Sequence, residues 1–163
     1  MLERIKKLYE EAKKECRVTN IPFKENVPIE VSKRMTRALG RCYYNYIDGY
    51  KIKISAQIEP LSDKEIRQVI VHEILHTCKG CMNHGSKWQS YAKKMNYAYG
   101  YDISRLASEE VCNQLKDIRQ EEGKYVIECQ VCKAIIPRTK MSNLVKHPEW
   151  YACRCGGDLK RIK

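Results

Sequence analysis

At 163 residues the chain has room for one domain with a small appendage, or for two small domains. A hydrophobic content of 43% excludes wholesale disorder, and no apolar run approaches the roughly 20 residues needed to cross a bilayer. The formal net charge of +11 favours acidic partners, phosphate backbones among them, although a solvated basic surface also accounts for such an excess.

The opening Met1-Leu2-Glu3-Arg4-Ile5-Lys6-Lys7 reads as a charged amphipathic helix rather than a secretory leader. Ile5, Leu8, Tyr9, Ala12 and Cys16 share one side of it, to about residue 17. We therefore expect a soluble, cytoplasmic protein without a membrane partner. Residues 20–28 form a loop containing Pro22 and Pro28. Strands are expected at 29–31, 41–47 and 51–58, with Asp48-Gly49 as a hairpin turn between the last two. Lys51-Ile52-Lys53-Ile54-Ser55 alternates, so one face of that sheet should be wet and the other buried. Ser62-Asp63-Lys64-Glu65 has the form of a capping box, followed by Ile66, Val69, Ile70, Ile74 and Leu75 at near-helical spacing. Gly80 marks the expected end of that helix. Ser86-Lys87-Trp88-Gln89 looks like a second capping box, opening a helix to about Asn96, and Tyr97, Tyr99 and Tyr101 with Gly100 read as an aromatic connector. A last helix near 108–120 stops by Gly123, so Lys124 is the expected boundary between a domain at 1–123 and a smaller one at 124–163.

Residues His72-Glu73-Ile74-Leu75-His76 carry the most chemistry. Two histidines four apart on a helix lie about 40° apart around its axis and roughly 6 Å apart along it. Imidazoles so placed can hold one zinc ion, with Glu73 beside them as a candidate base. A turn at Gly80 returns the chain so that His84 can approach, and three neutral imidazoles leave one tetrahedral position open, as a catalytic zinc site requires. Glu109 or Glu110 could serve as third ligand instead of His84. Packed core histidines are the plain alternative for the pair.

Nine cysteines in a reducing compartment point to metal rather than disulfides. Cys129-x-x-Cys132 and Cys153-x-Cys155 resemble the two knuckles of a four-cysteine zinc ribbon, although the second knuckle has one intervening residue where two are commoner. Gly156 and Gly157 suit a tight turn whose backbone N–H groups reach the sulfurs, and His147 could replace one sulfur. Such a closed site is structural. Cys78 and Cys81 form a further pair, for which packing or tight-turn roles outweigh a redox or metal role; Cys16, Cys42 and Cys112 read as core residues. Residues 124–163 hold nine Lys or Arg against three acids, and Lys33, Arg34, Arg37, Arg41, Lys51 and Lys53 form a second basic concentration. Any contact these make with DNA would be sequence-tolerant and salt-sensitive.

Taken in order, Gly40-Arg41-Cys42-Tyr43, Ile52-Lys53-Ile54-Ser55, His72-Glu73-Ile74-Leu75-His76, His84-Gly85-Ser86-Lys87-Trp88 and Cys153-Arg154-Cys155-Gly156-Gly157 resemble the SprT-like family of zinc metallopeptidases. The resemblance spans most of residues 25–163. It implies an α+β zincin-like metallopeptidase core of helices and a small antiparallel sheet, followed by a zinc ribbon. It also implies three histidine ligands, a catalytic glutamate and two zinc ions, one catalytic and one structural. The family includes Spartan-type enzymes that cleave proteins crosslinked to DNA, so a protein or peptide substrate and a sequence-nonspecific DNA partner are the implied companions.

The expected reaction is peptide hydrolysis, with zinc on His72, His76 and His84, Glu73 moving the proton, and Tyr43 or Tyr44 as candidate oxyanion stabilisers. Two rivals stand beside it. YbeY-type endoribonucleases also place three histidines on a helix and its return loop, but they space the last two more closely and lack a glutamate directly after the first. A non-catalytic nucleic-acid module with two structural metals has no use for Glu73.

Overall fold

Ile5, Leu8, Tyr9, Ala12 and Cys16, stepped by three and four residues, form the buried face of helix α1 (Leu2–Val18) in the computed structural model of the protein. The structure describes residues 1–107, 111, 113, 115 and 124–163. The chain divides into two compact units, Met1–Cys112 and Asn113–Lys163. Among the described residues no helix is long and apolar enough to cross a membrane.

In the first unit three strands follow α1: β1 (Ile29–Ser32), β2 (Gly40–Asn45) and β3 (Gly49–Ser55). β3 lies in the middle, antiparallel to β2 with Cys42 opposite Ile52, and parallel to β1 with Ile29 opposite Ile52. The sheet is therefore mixed, where an antiparallel one was expected. Its alternation is as read: Ile52 and Ile54 are fully buried while Lys51 and Lys53 remain partly exposed. Both strands stop earlier than expected. Asn45 Oδ1 accepts the N–H groups of Ile47 (2.9 Å) and Asp48 (2.7 Å), which turns the chain before Ile47, and Gly49 at φ +72° completes the turn. At the other end Ser55 accepts from the Gln57 N–H, starting a 3₁₀ turn over Ala56–Ile58.

Helix α2 (Asp63–Leu75) opens with the expected capping box, both Ser62 and Glu65 bonding reciprocally. Arg4 of α1 fastens this start: its guanidinium donates to Asp63 Oδ1 and to the Glu59 and Leu61 carbonyls, each at 2.8 Å. Ile66, Ile70 and Ile74 of α2 are buried in the same core as Ile52, Ile54 and Ile58. Helix α3 (Ser86–Tyr99) departs from its sequence reading. Its N-cap is Gly85, no side chain caps it, and the Gln89 amide donates instead to the His84 carbonyl at 3.0 Å. It also continues past Asn96 until Gly100, whose φ of +61° provides the left-handed stop, so Tyr97 and Tyr99 are helical rather than part of a connector. The expected helix at 108–120 and its end at Gly123 lie, apart from residues 111, 113 and 115, outside the described residues, as do Glu109 and Glu110.

The second unit holds an antiparallel sheet ordered β5-β4-β6, from β4 (Tyr125–Cys129), β5 (Ile135–Arg138) and β6 (Leu159–Arg161). A one-turn helix, α4 (Asn143–Lys146), precedes a 3₁₀ turn at Pro148–Trp150 that Pro148 starts, and beyond it Ala152 bridges to Asp158. Its buried core is Ile127, Cys129, Val145 and Leu159. So small a core rarely suffices without a staple.

Candidate metal centre

α2 delivers His72 from its last turn, and His76 is the helix C-cap, still in helical conformation at φ −67° and ψ −18°. The helix thus ends five residues before Gly80, which turns the following loop at φ +80°. Thr77 explains the early stop. Its hydroxyl donates to the Ile74 carbonyl at 2.7 Å and accepts the Lys24 N–H at 3.1 Å, diverting the chain into successive tight turns. Those turns lead back to His84, just ahead of α3.

The three imidazoles converge. His72 Nε2 lies 3.3 Å from His76 Nε2 and 3.0 Å from His84 Nε2. Nitrogens bound tetrahedrally to zinc at about 2.0–2.1 Å stand about 3.3–3.4 Å from one another, so the spacing fits a single ion. Two of the three rings are tied through a second hydrogen bond, as metal-ligating histidines usually are. His76 Nδ1 donates to the Cys81 carbonyl at 2.7 Å, leaving the Nε2 lone pair for an ion, and His72 bonds the Ser104 backbone. Burial, then the neighbouring His76 and His84, pushes His72 down to about 3. Burial lowers His76 as well, and His84 is lowered by burial and then by His76 and Arg105. All three rings are therefore neutral donors. Trp88 of α3, only 2% exposed, walls them in, with its ring centre 4.8, 5.6 and 4.5 Å from those of His72, His76 and His84.

Glu73 occupies a different place from these ligands. It is 5% exposed, and its carboxylate is not among the clustered donor atoms. Desolvation raises it to about 8, partly offset by a backbone hydrogen bond from Cys42 and the charge of Arg41. The room for it comes from Gly40 of β2: a Cβ there would lie 2.7 Å from both Cγ and Oε1 of Glu73. Of the two tyrosines considered as oxyanion partners, Tyr43 sits between Arg41 and Lys53, and Tyr44 packs on Tyr46 and Tyr50. Neither contact involves the histidines.

In the second unit Cys129, Cys132, Cys153 and Cys155 bring their sulfurs within 4.8 Å of one another. Cys129 Sγ is 3.5 Å from Cys155 Sγ, and Cys132 Sγ is 3.6 Å from Cys153 Sγ, near the ~3.8 Å edge of a tetrahedron with zinc–sulfur bonds of about 2.3 Å. Backbone N–H groups of Cys132 and Val131 aim at Cys129 and bring its thiol down to about 6. In the other knuckle the Gly156 N–H turns back to the Cys153 carbonyl at 2.8 Å rather than to a sulfur. Gly157 matters for a steric reason: a Cβ there would lie 2.7 Å from Val131 Cβ and 2.9 Å from Cys129 Sγ. His147 is not in this group; it stacks on Trp150, with ring centres 4.0 Å apart.

The histidine trio and the four cysteines are the two such clusters among the described residues. Cys78 and Cys81 are buried free thiols hydrogen-bonded to each other, and Cys78 is raised by burial to about 12, which fits a packing role. Gly40, Trp88, Ser104 and the Cys81 carbonyl received no role from sequence reasoning. Only Trp88 left a local signal, standing four residues after His84 and so one helical turn away.

A partly buried histidine trio on a capped helix and its return loop, backed by a glutamate outside the ligand set, defines a metallopeptidase-like centre. The sequence profile of the SprT-like family matches residues 4–112, and the chain belongs to that family. Among solved structures the fold is similar to abylysin of Pyrococcus abyssi, a metallopeptidase zymogen, with 16% identity, 72% of this chain and 93% of that one covered, and a TM-score of 0.44. It is also similar to the metallopeptidase zymogen jannalysin of Methanocaldococcus jannaschii, with 20% identity, coverage of 72% and 88%, and a TM-score of 0.40. No curated protein matches the chain significantly.

Proposed function

We propose that this SprT-like protein is a zinc-dependent peptidase whose catalytic unit, 1–123, is followed by a zinc ribbon at 124–163. The observation that carries the reading is the separation of roles: three neutral imidazoles share one focus, and Glu73 stands outside it with its carboxylate lodged against Gly40. His72, His76 and His84 would hold the catalytic zinc, which when bound supplies Lewis acidity toward a water and the scissile carbonyl. Glu73 takes the proton and returns it to the leaving amine. Trp88 excludes water from the far side of the rings. Cys129, Cys132, Cys153 and Cys155 would hold a structural zinc.

Glu73→Gln tests this directly. Casein hydrolysis should fall by about a hundredfold or more while zinc per chain is unchanged. Hydrolysis at the wild-type rate ends the proposal, and cleavage of structured RNA by the wild type with casein left intact would favour the ribonuclease reading.

A finer reading, that the substrates are DNA-associated proteins, is supported by the solvent face of the first sheet. There Arg41 and Lys53 lie 5.9 and 5.7 Å from the ring centre of exposed Tyr43, and Lys51 adds a third cation, against Glu30, which bonds Lys51 at 2.8 Å. An exposed ring among cations suits stacking by single-stranded nucleic acid. Tyr43→Ala with Lys53→Ala should weaken binding of labelled single-stranded DNA and flatten its salt dependence; unchanged binding removes this support.

A further inference from the structure

Beside His84 the first unit carries a cleft of about 680 Å³ between α3 and the segment that follows it. His84 and Trp88 line it at the candidate metal centre, so the cleft adjoins the place where a scissile bond would lie. The facing wall, residues 102–105, is pinned in a regular way. Gln68 of α2 exchanges two hydrogen bonds with the Asp102 backbone, each 2.9 Å. Asn96 of α3 does the same for Ile103, at 3.1 and 2.8 Å. Each amide side chain satisfies both backbone groups of one residue, as a neighbouring strand would. Residues 102 and 103 of the wall are thereby held before any ligand arrives, which lowers the ordering cost of binding.

Three charged side chains line this cleft: Lys93 from α3, and Asp102 and Arg105 from the wall. Cations outnumber the acid, both are exposed, and among the described residues neither carries an ion pair. Arg105 and His84 line the same cleft, which brings this side chain into the space beside the candidate metal centre.

We propose that this cleft is a subsite for a carboxylate of the substrate, with Arg105 and Lys93 as its specificity-determining residues. The inference rests on the peptidase reading and deepens it. A peptide whose scissile bond lies at the histidine trio places a flanking residue against α3, where Arg105 offers planar paired donors and Lys93 a compact charge. Two carboxylates have this chemistry: an acidic side chain, or the C-terminus of a short substrate. Asp102 restrains the preference by partly neutralising the cations, so its removal should strengthen it.

The test uses full-length zinc-loaded Glu73→Gln protein and fluorescent peptides alike except at one position, Glu, Gln or Lys, each with a free or an amidated C-terminus. Binding is read by anisotropy at low salt. We expect the Glu peptide to bind about fivefold tighter than the Gln peptide, the size that exposed charge pairs provide. Lys93→Gln with Arg105→Gln should erase the difference, Lys93→Glu with Arg105→Glu should invert it toward Lys, and Asp102→Asn should enlarge it. If only the free C-terminus confers the gain, the carboxylate is the terminal one. Equal binding of all peptides, no measurable binding, or a preference that survives Lys93→Gln with Arg105→Gln overturns the subsite. Hydrolysis is scored separately on the wild type: lost turnover with intact charge preference overturns only the peptidase reading, and intact turnover without preference only the subsite.

Discussion

The histidine and cysteine clusters are built on opposite terms. The first hangs from α2, whose Ile66, Ile70 and Ile74 are locked into a core shared with the sheet, so its ligands are positioned by packing that needs no ion. The second sits in a unit whose buried core is Ile127, Cys129, Val145 and Leu159, one of which is itself a ligand candidate. There an ion would be part of the core. Yet each cluster rests on a glycine that leaves room for a neighbour: Gly40 for Glu73, Gly157 for Val131 and Cys129. One glycine leaves room for the proposed proton-transferring acid, the other for the proposed closed metal shell.

Chelation should separate the two most sharply. Stripping zinc should remove amide protection across 124–163, since structural zinc contributes about 10 kcal/mol or more in such modules, while α1, α2 and β3 keep theirs. Hydrogen exchange of the metal-free chain measures this, and a ribbon that stays protected removes the contrast. Gly157→Ala comes next. Its Cβ would press on Val131 Cβ and Cys129 Sγ, atoms with little freedom, so the second unit should lose about 1–3 kcal/mol and release zinc to a chelator more readily. Gly40→Ala should cost less stability, about 1 kcal/mol, because the Glu73 side chain it strikes has more rotatable bonds to yield with than Val131. Displacing that carboxylate should nevertheless lower peptide hydrolysis about tenfold with zinc per chain unchanged; full activity would mean that the Glu73 placement is incidental.

The smallest effect runs the other way. Burial holds the Glu73 carboxyl near 8, above its unfolded value, so its ionised form opposes folding increasingly as pH rises from about 4.5 toward 8. Glu73→Gln should therefore raise the melting temperature of the metal-free chain by a few degrees at pH 8 and by little at pH 4. An unchanged melting temperature at pH 8 would mean that the carboxylate is already paired or hydrated.

Much of this was legible along the chain because the signals are local. The four-residue step from His72 to His76, the Ser62–Glu65 box and the Cys129–Cys132 knuckle each lie within one turn of backbone, where helix and turn geometry dictate which side chains meet. Local pattern and structure part where a side chain answers to something distant or unexpected. Ser86 has the pattern of a cap although Gly85 holds that place, and the spacing carries α2 to Gly80 although Thr77, bonded across to Lys24, ends it earlier. The parallel pairing of β1 with β3 was invisible for the same reason, since strand order depends on how helices cover the sheet.

Spacing and composition alone thus determined which residues have the chemistry to bind metal, that the structure mixes helices with small sheets, and that four of the nine cysteines fall in two close pairs after residue 124. Tertiary packing decided the rest: that His84 joins His72 and His76, that Trp88 closes over them, that Gly40 makes room for Glu73, and that the Cys81 carbonyl selects the tautomer of His76. The physical reason is range. Backbone geometry constrains neighbours a turn apart, whereas residues tens of positions apart meet only when the burial of apolar surface brings their elements together.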